Sequence, residues 1–140
     1  MLFARIITAF AALVWMGYGT WLIFDPKGLS YIGMEFNHWS VTVEVLAMYG
    51  FAELALGIFA LLGVVKPQRY LHANLVLWFM IFTGLWVGRM IGIAVWGGDY
   101  SFTFGANGLP AGYNPGAAYF YELPFSLMFG IALWKTRGQL

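Results

Sequence analysis

The sequence predicts an all-α integral membrane protein, a bundle of four transmembrane helices with both termini on the cytoplasmic side. Three observations carry that reading. Of 140 residues, 61% are hydrophobic and only 9% are charged, whereas a soluble domain carries about 25% charge. So few charges leave too little polar surface to cover a water-soluble core. Aromatics make up 20%, with seven Trp and eight Tyr, a composition suited to the two membrane–water interfaces. Finally, four stretches approach the roughly 20 apolar residues that a spanning helix needs.

The first stretch runs over residues 2–24 and ends at "DPKG". Arg5 precedes its apolar run as the basic region of a signal peptide would. The run is too long for a signal peptide and lacks an A-x-A site, so it is expected to stay as the first span. The second covers 41–65 and ends at "KPQR"; the third covers 70–96 and ends at "GGDY". The fourth covers 117–134 and ends at "KTRGQL". Each stop has a cause: charge that resists burial, or Pro and Gly that do not continue a helix. Pro124 lies inside the fourth stretch, where it removes a backbone donor and is expected to kink the helix.

Lys and Arg set the orientation. Arg5, Lys66, Arg69, Lys135 and Arg137 fall at the N-terminus, the loop between spans two and three, and the C-terminus. Four spans put all of these on one side, the cytoplasm. Loops 25–40 and 97–116 then face outward, with Lys27 as their one basic residue. No linker or repeat interrupts the chain, which reads as one domain over 1–140.

The candidate site follows from charge inside the spans. Glu122 lies roughly 7 Å from the outer end of its span, Arg89 roughly 10 Å and Glu44 roughly 5 Å, at 1.5 Å per residue. The three come from three helices but occupy one outer-leaflet layer. Glu53 lies deeper, four residues after Tyr49 and on its face of a regular helix. An ionised group at mid-bilayer costs at least about 2.5–3.5 kcal/mol, so these side chains are expected to meet one another. Arginine's planar fork suits carboxylates. Arg89 is expected to pair with Glu122, with Glu44 or Glu53 in reach. The bland reading is glue that fixes helix register; the sharper one is a cluster that also binds or moves something. Gly84, Gly88 and Gly92 form a small-residue stripe through "GLWVGRMIG". It is expected to pack a helix of the same chain, or else to form a seam for a second copy or a partner.

Other chemistry is excluded. The chain has no cysteine, which removes disulfides, thiolate metal sites, iron–sulfur clusters and c-type haem attachment. His38 and His72 fall on opposite sides of the membrane, so one chain cannot use both as haem ligands. "NHW" near Glu35 reads as an interfacial loop rather than a metal site. No cofactor or metal is expected. No basic block for nucleic acid exists, and no catalytic triad, P-loop or dinucleotide fingerprint is present.

"EVLAMYGFAELALGIFALLG", "GLWVGRMIGI" and "YFYELPF" resemble the small four-helix bacterial membrane proteins grouped as DUF4345, a domain of unknown function. The layout is more distantly similar to DoxX-like proteins. The matching positions are Tyr49, Gly50, Glu53, Gly57, Arg89 and Glu122. The resemblance implies a fold and a place in the bacterial inner membrane, without an activity.

The function expected is non-enzymatic: an accessory subunit, or a module binding a small amphiphile or lipid at the outer Arg/Glu cluster. Its partners would be membrane lipid, a small hydrophobic ligand, and further copies or subunits of a membrane complex. A second reading is a membrane-embedded enzyme that isomerises a hydrophobic substrate by acid–base chemistry at Glu53, Glu122 and Tyr49, with Arg89 stabilising negative charge. A third is a proton-coupled transporter using Glu53, which the dry "LALGIFALLGVV" beyond it disfavours.

Overall fold

The computed structural model describes residues 1–32, 34–96 and 118–138. The described residues form helices and turns, with no strand among them. Helix α1 spans Leu2–Phe24. A 3₁₀ segment, Pro26–Ile32, follows it. Helix α2 spans Trp39–Val65 and α3 spans Pro67–Trp96. The fourth segment, α4, begins with a π-helical turn at Ala118–Glu122 and continues as α-helix over Leu123–Thr136. Helices α1, α2 and α3 are long and apolar enough to cross a membrane. The described part of α4, which begins at Ala118, is not among them. The expected outer loop at 97–116 lies outside the described residues.

The chain divides into two compact units, Met1–Asn74 and Leu75–Gln139. The boundary falls within α3, so no linker marks it in the sequence.

In the first unit α1 and α2 pack antiparallel. Gly50 lies against Ile23, Gly19 against Leu54, and Gly57 against Met16. A Cβ on Gly19 would stand 2.6 Å from the Leu54 backbone nitrogen, and one on Gly57 2.6 Å from that of Met16. The two backbones touch, and only glycine permits that approach. At the far end the Arg5 guanidinium donates to the Val64 carbonyl at 3.2 Å, satisfying an acceptor that the end of α2 leaves open. Asp25 closes α1, donating its N–H to the Trp21 carbonyl at 2.8 Å. Pro26 has no N–H with which to continue. Beyond it, Leu22, Leu29 and Val45 form a buried cluster, covered by Tyr18, Met34, Phe36 and Val41.

His38 caps α2. Its Nδ1 accepts from the Ser40 N–H at 3.2 Å, meeting one of the unsatisfied donors of a helix start. This gives the "NHW" stretch a structural role. The first residues of α3 join the same unit through Asn74, which is fully buried. Its amide donates to the carbonyls of Phe59 and Tyr70, both at 3.0 Å. The bare Cα of Gly63 makes room for it.

In the second unit the rest of α3 runs antiparallel to α4. Trp78, Phe82 and Phe129 are fully buried. Phe82 and Phe129 stack with centroids 5.8 Å apart, and Tyr121 meets Phe82 edge-on at 5.3 Å. Both geometries suit the ring quadrupole. Gly130 lies beneath Phe79. Pro124 occupies the first turn of the α-helical part of α4, just after the π turn. Its missing N–H leaves a carbonyl of the preceding π turn without that donor.

Candidate functional site

The second unit holds a polar seam between α3 and α4. Two contacts define it, two turns apart on α3 and one on α4. Thr83 and Ser126 share a hydroxyl–hydroxyl hydrogen bond of 2.7 Å. Arg89 Nε donates to Glu122 Oε1 at 2.6 Å. Their residue numbers fall in opposite order on the two helices, as antiparallel packing requires. Spacing explains why each helix supplies two polar groups to one face. Thr83, Trp86 and Arg89 are three apart, and Glu122 and Ser126 four apart.

Burial is uneven across the pair. Glu122 is only 2% exposed, while the Arg89 side chain is 38% exposed. The carboxylate is therefore sheltered and the guanidinium faces outward. The second carboxylate oxygen, Oε2, is buried and meets no hydrogen-bond partner among the described residues; the same holds for the indole N–H of Trp86. Buried groups left open in this way are unusual, since about 90% or more of buried polar groups are satisfied. The Glu122 oxygen can accept a hydrogen bond and the Trp86 indole N–H can donate one.

The remaining predicted residues belong to the first unit. Glu44 and Tyr49 are exposed and line an open groove with Met34, Glu35, Ser40, Val41, Val45 and Met48. Glu53 is half-buried, and its Oε2 meets no partner among the described residues. Of the predicted cluster, Arg89 and Glu122 are thus joined directly. Glu44, Tyr49 and Glu53 share α2. The stripe of Gly84, Gly88 and Gly92 faces open space: a Cβ added at any of the three meets nothing within 4 Å. No described helix packs closely there.

The sequence reading missed the two π-helical segments, Val45–Phe51 and Ala118–Glu122. Such turns make up well under 1% of residues in proteins and gather at functional sites. One contains Tyr49 and ends just before Glu53; the other contains Glu122. Their i→i+5 bonding widens the turn, so the face-sharing of Tyr49 and Glu53 on a regular α-helix does not carry across 45–51. Asn74 was also missed. It is a single amide inside an apolar run whose partners are backbone carbonyls, so no second side chain signals its role. No group of three or more potential metal ligands occurs among the described residues.

Fold and site together define an all-helical protein of membrane-spanning character, with a buried ion pair between two of its helices. The model of the domain of unknown function DUF4345 matches residues 3–108, and the chain belongs to that family. Arg89, the π turn of α2 and the glycine contacts of α1 and α2 fall within the match; Glu122 lies beyond it. No curated protein and no solved structure matches the chain.

Proposed function

We propose that the chain is a non-enzymatic protein of the bacterial inner membrane that binds a small amphiphile at the Arg89–Glu122 pair, as an accessory module of the membrane. In this reading it crosses the bilayer four times, with α4 as the fourth span and both termini in the cytoplasm. The pair then lies in the outer leaflet. One observation supports it above the others: Glu122 is buried and ion-paired through Oε1, while its Oε2 meets no described partner. An intramembrane charge that served only as glue would be expected to spend both oxygens on protein donors. A head group that donates to Oε2 answers that acceptor, and a hydroxyl does so. The exposed side of Arg89 marks the direction of entry.

The test is Glu122→Gln in the full chain, purified gently from its membrane and examined by native mass spectrometry. Glutamine keeps an oxygen for Arg89 Nε and replaces the other acceptor with a donor. The fold is expected to survive. Retention of a co-purifying amphiphile is expected to fall by about 10–100-fold, the worth of a hydrogen bond to a charged group. A wild-type chain that carries only bulk lipid, or a variant that keeps the same adduct, overturns the proposal.

A further inference from the structure

We infer that the groove of the first unit binds the cationic ammonium head of an amphiphile, with the aliphatic tail lying along Met48. The groove has a volume of about 660 Å³, within the roughly 300–1,000 Å³ typical of small-molecule sites. Its chemistry is divided. Met34, Val41, Val45 and Met48 supply apolar wall, while Glu35, Glu44, Ser40 and Tyr49 supply the polar groups. Two carboxylates and no basic side chain line it, so it carries negative charge with no cation of its own. No described cation pairs with either Glu35 or Glu44. Glu35 is oriented by Asn37, whose amide donates to Oε2 at 2.7 Å.

Two alternatives fit less well. A bare divalent ion needs about six or more oxygen ligands, and no cluster of three candidate ligands exists among the described residues. A neutral apolar molecule would leave both carboxylates beside it unanswered. A monovalent ammonium group attached to a hydrocarbon chain answers both halves of the groove, and the Tyr49 ring offers its face to such a cation. The tail has a path: Met48 and Phe51 are each 60% exposed, and the thioether of methionine adapts to chains of varied shape.

This inference rests on other residues than the proposed function and on a head group of different chemistry, so the two can fail separately. The test uses the full chain in maltoside micelles and a dodecyltrimethylammonium probe carrying a photoreactive diazirine in its chain. Labelled positions are read by peptide mass spectrometry. The probe is expected to label residues 34–49. The double variant Glu35→Gln/Glu44→Gln changes two exposed side chains and is expected to keep its thermal unfolding profile. It is expected to lose labelling there by about three- to tenfold, as for two solvent-exposed charge contacts. A phosphocholine-headed probe with the same tail, whose phosphate cancels the charge, is expected to label no better than the double variant does with the cationic probe. Equal labelling by both probes, or full labelling of the double variant, overturns the inference. Labelling confined to residues 83–89 and 122–126 also overturns it, and leaves the Arg89–Glu122 reading standing.

Discussion

Arg89 and Glu122 form the salt bridge that joins α3 to α4 among the described residues. Removing one member of a buried pair strands the other charge, at a cost of about 3–5 kcal/mol. Because the Arg89 side chain is 38% exposed, the pair is only partly enclosed. Arg89→Leu is therefore expected to destabilise the second unit by about 3 kcal/mol, the low end of that range. Combining it with Glu122→Leu should recover most of the loss, since an apolar pair of similar volume often replaces a buried ion pair at little cost. Reversible unfolding of the two single variants and the double variant in mixed micelles measures this. A double variant as unstable as Arg89→Leu alone would show that the loss is not electrostatic. The pairing was legible in the sequence, because an arginine and a glutamate at similar depth in neighbouring spans have few affordable alternatives. Asn74 was not legible. Its bonds run to the carbonyls of Phe59 and Tyr70, acceptors that every residue carries.

Helix packing shows why a regular motif can mislead. The repeat Gly84–Gly88–Gly92 is the clearest small-residue pattern in the chain, yet its Cβ positions meet nothing within 4 Å. The glycines that let two backbones touch are Gly19 and Gly57, with Gly50 beside them. Gly19 lies on α1, and Gly50 and Gly57 are seven apart on α2, a two-turn spacing rather than a four-residue repeat. A regular wheel puts Gly50 and Gly57 on one face, but a pair two turns apart stands out less in the sequence than three glycines in a four-residue repeat. The two glycine sets should respond differently to alanine. Gly57→Ala forces α1 away from α2 and is expected to cost about 1–3 kcal/mol, as overpacking does. Gly88→Ala adds a methyl to open space and is expected to leave the stability of the single chain unchanged or slightly raised. Thermal unfolding of both variants in one detergent separates them. A loss of self-association in Gly88→Ala, at unchanged stability, would assign the stripe to a second copy.

At the scale of the whole molecule, the composition was enough to identify helices of membrane-spanning length, and α1, α2 and α3 meet that standard. The number of crossings is a finer matter. It depends on α4, whose first residues combine Glu122 with a π turn and Pro124. Residues 2–24, 39–65 and 67–95 are long and apolar enough to cross a membrane; the proposed fourth crossing rests on the distribution of Lys and Arg. With three crossings, Lys135 and Arg137 would lie outside, against the positive-inside preference. The absence of cysteine makes the question directly measurable, since any thiol introduced is the only one present. Gln68→Cys, at an exposed position between α2 and α3, and a cysteine appended after residue 140 are both expected to resist a membrane-impermeant maleimide in intact cells. Both should react once the membrane is permeabilised. Asn37→Cys, exposed at the start of α2, is expected to react in intact cells. If the appended cysteine reacts from outside while Gln68→Cys does not, α4 does not cross. Arg89 and Glu122 would then anchor a helix lying at the outer surface, where water competes for both charges and the pair binds an amphiphile far less selectively.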